Sequence, residues 1–236
     1  MIAEGLFLLA ALAQDAAADP EPLQVRFLHE GACGAKACPK ERHWKFLAGD
    51  RPPGDTYDFA DALQAEADAR RAGAPRPELS ERIVFFGGDR TVPWGTVLWA
   101  MKRCAQVGIY KIAWLKPGAE KGEMAHKFWL TDAPKNERCG IANPRVTLLW
   151  DESQGGLVRR VGEKTFVATA DEMIAALRAE LSALQKLGKT EWPVEIGAGP
   201  DVPWKHLIEA MDRCRSEGLE MQVVPVVWRK AAEGKK

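Results

Sequence analysis

No charge of one sign dominates this chain: 33 Lys and Arg balance 33 Asp and Glu over 236 residues. A nucleic-acid binder ordinarily carries a basic stripe or a strongly basic domain against the phosphates, and nothing of that kind is present. No apolar run reaches the roughly 20 residues that a bilayer-spanning helix needs. The C-x-x-C spacing of thioredoxin-like redox sites is missing as well. Gly87-Gly88 and Gly197-Ala198-Gly199 fall between strand-like and helix-like segments. Neither extends to a phosphate-binding G-x-x-x-x-G-K-[ST] or G-x-G-x-x-G pattern. What remains is a globular composition, 46% hydrophobic and 28% charged, long enough for one large or two small domains with a sizeable core.

The first twenty residues, MIAEGLFLLAALAQDAAADP, hold a nine-residue apolar stretch at positions 5–13. That is the length of a signal-peptide core, and Ala11-Leu12-Ala13 before Gln14 is an A-x-A-type cleavage site. The n-region departs from the usual pattern, with Glu4 and no Lys or Arg. The expectation is an exported protein whose mature form begins near Gln14. A helical arm, or a start codon that truncates a longer membrane segment, is the alternative.

The most specific signal is an internal repeat. VPWGTVLWAMKRCAQVG (92–108) aligns without gaps on VPWKHLIEAMDRCRSEG (202–218), with eight of 17 positions identical. Average residue usage gives roughly one such match by chance. Each copy reads as a helix. Thr91 and Asp201 stand as N-cap formers, Pro93 and Pro203 fall in the first turn, and Gly108 and Gly218 supply the left-handed stop. Val97, Met101 and Cys104 in one copy, and Leu207, Met211 and Cys214 in the other, follow the rhythm of a buried stripe. Trp94 and Trp204 recur at the helix starts, which points to core or helix-docking duty for these two of the nine tryptophans.

The flanks repeat too. RIVFF (82–86) and WPVEI (192–196) precede the helices, and IYKIAWL (109–115) and MQVVPVVW (221–228) follow them. A strand, a crossover helix and a strand make a parallel, right-handed βαβ unit. Upstream of the second copy, VTLLW (146–150) and LVRRVG (157–162) read as a hairpin. A helix follows, with a Thr169–Glu172 capping box, a stripe of Ile174, Leu177, Leu181 and Leu184, and a stop at Gly188. The first copy keeps this order with LQVRFLH (23–29), HWKFLA (43–48) and an alanine-rich helix over 57–71. The predicted fold class is therefore α/β (α+β): two tandem ββαβαβ domains, each a small mixed sheet with two helices. They span 21–116 and 144–228, with a linker over 117–143 and a polar tail over 229–236. HKFWLT (126–131) is compatible with an extra strand inside that linker. Pro225 removes a ladder donor, so the last strand should be an edge or carry a bulge.

V-x-F-x-G-D-x-x-V-P-W-G (84–95), followed by an amphipathic helix, Gly108 and a strand, resembles the periplasmic domain of the ExbD/TolR biopolymer-transport family. Asp89, Val92, Pro93 and Gly95 match that family's pattern, and Trp94 stands where an aromatic is usual. In the second copy Val194, Ile196, Ala198, Val202, Pro203 and Trp204 match, while Gly199 replaces the Asp and Lys205 the Gly. The resemblance implies a non-catalytic domain of the periplasm or cell envelope. It implies partners of the ExbB/TolQ or TonB/TolA type, with peptidoglycan as a further candidate, and no cofactor. The family's transmembrane helix and its proton-handling aspartate have no counterpart in the sequence as given, so that role is not carried over. Family domains pair between chains; here both copies share one chain, which implies a monomer folded as an intramolecular pseudo-dimer. A partner peptide that adds a strand would choose the edge of 109–115, provided that edge is free.

The remaining candidate chemistry lies in cysteine and histidine. Of five cysteines, Cys104 and Cys214 sit on the buried helix faces and read as inert core residues; Cys139 lies in the linker. Cys33 and Cys38 lie in the first hairpin loop and form a disulfide if the protein is exported. His29, Cys33, Cys38 and His43 also make an H-x3-C-x4-C-x4-H set of four potential zinc ligands, although structural zinc sites usually use closer C-x2-C pairs. His126 and His206 have no Ser or Cys partner at a readable spacing. Three functions compete: an envelope binding module, an energiser subunit truncated of its membrane helix, and a redox or zinc protein using the cysteine loop.

Overall fold

The computed structural model describes residues 21–30, 43–71, 78–115, 124–129, 143–151, 156–163, 165–186 and 193–223. The first half runs β1 (Leu23–His29), β2 (Trp44–Ala48), α1 (Thr56–Asp68), β3 (Ser80–Gly88), α2 (Trp94–Gln106), β4 (Ile109–Leu115) and β5 (Met124–Trp129). The second runs β6 (Arg145–Asp151), β7 (Gly156–Val161), β8 (Thr165–Val167), α3 (Ala170–Lys186), β9 (Val194–Ala198), α4 (Trp204–Ser216) and β10 (Met221–Val223). The class is α/β, with two mixed five-stranded sheets ordered β2-β1-β3-β4-β5 and β10-β9-β6-β7-β8.

In each sheet the repeat helix crosses between parallel neighbours, β3 to β4 and β9 to β10. The hairpin strands β1 and β6 lie parallel to β3 and β9 and antiparallel to β2 and β7. Alternation sets the faces: Leu23, Val25 and Phe27 on β1 are buried while Gln24, Arg26 and Leu28 are half-exposed. The glycines after the repeat helices take the left-handed backbone, φ +84° at Gly108 and +72° at Gly218, and end both helices as the sequence predicts.

Several expectations need correction. The extra strand that the sequence allows inside 117–143 is present as β5, which starts two residues before HKFWLT and pairs antiparallel with β4, Ala113 opposite Lys127. The edge of β4 is therefore filled by the chain's own next segment and does not await a partner peptide. The second sheet instead gains β8, which pairs with β7 at the far end. β10 is an edge strand, as Pro225 demands, although Pro225 itself lies outside the described residues. On α3, Met173, Ile174 and Leu177 are buried, but Leu181 and Leu184 are only half-buried, so the packed stripe is confined to the first half of the helix. The Thr169–Glu172 box forms: Glu172 N–H donates to Thr169 Oγ1 at 3.2 Å and its carboxylate accepts from Thr169 N–H at 3.1 Å. A second box, Asp55 with Asp58, opens α1 and escaped the sequence reading.

Among the described residues, the larger of two hydrophobic clusters takes in side chains from both halves, including Phe27, Phe86, Val97 and Met101 with Val146, Ile196, Leu207 and Met211. The opposite sheet faces have diverged. Phe85, Ala113 and Leu115 form a small apolar cluster in the first half. At Phe85's counterpart in the second stands Glu195, 4% exposed and held by Arg145 and Asn143.

Candidate functional site

The V-P-W triplets of the two copies meet. Pro93 and Pro203 face each other in an isolated antiparallel bridge. Trp94 N–H donates to Val202 O at 2.8 Å, and Trp204 N–H to Val92 O at 2.9 Å. Gly95 N–H donates to Pro200 O at 2.9 Å, and Lys205 N–H to Arg90 O at 3.0 Å. Each bond has its mate 110 positions along the chain, so the seam is isologous and the halves are related by a local twofold.

This geometry corrects the expected caps. The N-caps are Pro93 and Pro203, neither of which supplies a side-chain acceptor, and the helices start at Trp94 and Trp204. The first N–H groups of any helix lack partners within it, and burial without one costs free energy. Here the other half's carbonyls accept them. Thr91 lies two residues before the N-cap, and its hydroxyl and its N–H both donate to Asp89 Oδ1, at 2.7 and 2.8 Å, so its side chain serves the turn ahead of the helix. Asp89 thereby fixes the turn that delivers Val92 O and Arg90 O to the second half. Gly199 occupies the same turn position in the second copy, where Val202 N–H donates to Gly199 O at 3.1 Å. Gly95 is explained by the close approach: a Cβ there would lie 3.1 Å from Pro200 Cβ and 3.2 Å from Pro200 O. Its counterpart Lys205 lies opposite Arg90 rather than a proline.

Aromatic rings fill the space behind the seam. Trp204 stands edge-on to Phe27 and to Trp114 of the first half, with centroids 5.6 Å apart in both pairs. Trp114 in turn meets Trp94 at 5.5 Å. Val92, Trp94, Val202 and Trp204 are all at most 1% exposed. The Arg90 guanidinium lies 5.9 Å above the Trp204 ring and donates to Leu115 O. Trp94 Nε1 and Trp204 Nε1 are buried with no hydrogen-bond acceptor among the described residues.

The repeat's thiols are passive. Cys104 and Cys214 are free and buried; burial pushes the Cys214 thiol up to about 11 and Cys104 higher still. Both are protonated, poor nucleophiles at neutral pH. Met101 and Met211 line the same buried helix faces. Of the proposed zinc ligands, His29 and His43 flank the mouth of the first hairpin with ring centroids 6.0 Å apart, and His29 Nε2 is buried without a partner among the described residues. Cys33, Cys38 and Cys139 lie outside the described residues, so the disulfide and the full tetrad do too. Among the described residues no three metal-binding side chains cluster. His206 pairs with Glu209 at 2.9 Å and stacks on Trp150; the side chain of His126 lies outside the described residues. Among the described residues no helix is long and apolar enough to cross a membrane.

The sequence reading missed a groove beside the seam, formed where β2, α1 and α2 meet and lined by Phe46, Tyr57 and Trp99. Its signal was the exposed aromatic at Tyr57, next to a helix start. Comparison with protein-family models, with curated proteins and with solved structures returned no match.

Proposed function

We propose that this protein is a non-catalytic binding module of the cell envelope, exported and built as a covalent pseudo-dimer of two ExbD/TolR-like domains. The observation that carries the reading is the reciprocal V-P-W seam. The residues that bear the family resemblance, Asp89, Val92, Pro93, Trp94 and Gly95, are the ones that set the turn, the bridge and the close approach between the halves. They are thus explained as pairing elements. Fusing two paired copies frees one surface to change without the other. The divergence of Thr96 and Trp99 from His206 and Glu209 fits that division of labour.

The partners follow from the resemblance: envelope proteins of the ExbB/TolQ or TonB/TolA type. The test is fractionation of the native host with N-terminal sequencing, followed by in-cell photo-cross-linking from the first half. Mature protein that starts near Gln14, fractionates with the periplasm and cross-links to such a partner is the expected result. Intact Met1 in the cytoplasm contradicts it. A zinc-holding hairpin mouth is the second reading, favoured by the His29–His43 pair; stoichiometric zinc in the purified protein, lost in a His29→Ala variant, would establish it.

A further inference from the structure

We infer that the groove beside the seam binds a proline-rich, acidic segment of a partner protein in an extended polyproline conformation. This rests on the binding-module reading and names the chemistry of what is bound. The groove encloses about 570 Å³. Its floor is Phe46, and its walls are Tyr57 from α1 and Trp99 from α2. Trp99 is fixed from behind, its ring 5.5 Å from Phe46 and 5.9 Å from Phe59, so the wall is rigid. Tyr57 is 80% exposed, one of two large hydrophobic side chains left open among the described residues.

The polar groups of the lining select the occupant. Thr56, Thr96 and Tyr57 present hydroxyls, and Arg103 presents a guanidinium; among the described residues no carboxylate or carboxamide side chain lines the groove. Sugar hydroxyls donate as well as accept, and among the described residues the Thr and Tyr hydroxyls are the side-chain acceptors that the lining offers them. Proline offers a carbonyl and no N–H, so the prolines of a polyproline helix present acceptors only, which the Arg103 guanidinium and the hydroxyls can meet. Such segments dock on aromatic-walled grooves with little ordering cost because the helix is already formed.

Charge supplies the acidic part. The Arg103 guanidinium sits 5.4 Å over the Trp99 ring and donates only to Gln106 Oε1, with no carboxylate in ion-pair range among the described residues. Its repeat counterpart Arg213 is instead spent on Asp171 and Glu217 at 3.0 and 2.9 Å. The matching place in the second half also carries His206 and Glu209, paired to each other. Among the described residues, the first half keeps both the aromatic wall and the uncommitted cation, and the second half keeps neither.

The experiment is a calorimetric and NMR titration of the full chain with a capped dodecapeptide of Pro-Pro-Glu repeats. A Pro-Pro-Lys peptide, a Gly-Ser-Glu peptide and chitotetraose serve as comparison ligands. The Glu peptide should bind about tenfold or more tightly than the Lys peptide, because a charge-assisted bond replaces a like-charge contact. It should also bind more tightly than the Gly-Ser-Glu peptide, because its polyproline helix is already formed. Tyr57→Ala should weaken it about tenfold, Arg103→Glu should invert the preference toward Lys, and Phe166→Ala should change nothing. Equal binding of both charges, indifference to Tyr57→Ala, chitotetraose bound in place of peptide, or no binding of any ligand overturns the inference. Failure of the peptides while the seam amides stay protected from exchange removes the groove's occupant alone; loss of that protection removes the pseudo-dimer reading itself.

Discussion

Replacing Trp204 by Ala perturbs the seam at the point where one half enters the other. The ring is fully buried, lies edge-on to Phe27 and Trp114 at 5.6 Å, and carries the Arg90 guanidinium above it. Truncating a buried aromatic of this size costs about 3–5 kcal/mol through lost transfer energy and the cavity left behind. For a chain of this length each kcal/mol moves Tm by roughly 2–4 °C, so a fall of about 6–20 °C is expected. Trp204→Phe should cost less, since it keeps much of the volume and removes an indole N–H that has no acceptor among the described residues. The assay is differential scanning calorimetry with amide exchange read in β1 and β9. Because Trp204 belongs to the second half while its ring partners belong to the first, both halves should lose protection together in one transition. A loss below about 1 kcal/mol, or two separated transitions with the first half melting at its wild-type temperature, would refute the reasoning.

The repeat provides internal controls for three further expectations. Gly108→Ala should be much more damaging than Gly218→Ala: both need the left-handed backbone, worth about 1–2 kcal/mol to a β-carbon, but only at Gly108 would that carbon lie 2.1 Å from Glu78 O. Urea midpoints of the two variants check this, and equal losses would contradict it. Cys104 and Cys214 should resist thiol reagents at pH 8 in the native protein and react on unfolding. Their folded pKa values are raised, so the unfolded chain releases these protons first and stability should fall as pH rises above about 9. A Cys104→Ala, Cys214→Ala variant should flatten that decline; an unchanged slope would assign it to other groups.

Elements set by local pattern were legible in the sequence. The gapless repeat, the strand-like flanks of its helices and the stop glycines Gly108 and Gly218 point to two βαβ units from the sequence, because each element depends on neighbours a few residues away. The seam was not legible as a set of hydrogen bonds. Thr91 and Asp201 satisfy the local rules for an N-cap, yet the helices start at Trp94 and Trp204, and the acceptors for their N–H groups are Val202 and Val92 in the opposite half. The placement of β5 on β4 is likewise a tertiary choice. The groove escaped notice because Phe46, Tyr57 and Trp99 belong to three elements, and only the crossing of α1 and α2 over β2 gathers them.

Amide hydrogen exchange at four positions tests the paired seam most directly. The first N–H groups of a helix ordinarily exchange among the fastest in a protein, for want of an internal partner. Trp94, Gly95, Trp204 and Lys205 should instead be protected like central strand amides such as Val84 and Ile196, in a species that light scattering reports as one chain. Exchange of these four at the rate of ordinary helix N-termini, or protection found only in a two-chain species, would contradict the intramolecular pseudo-dimer.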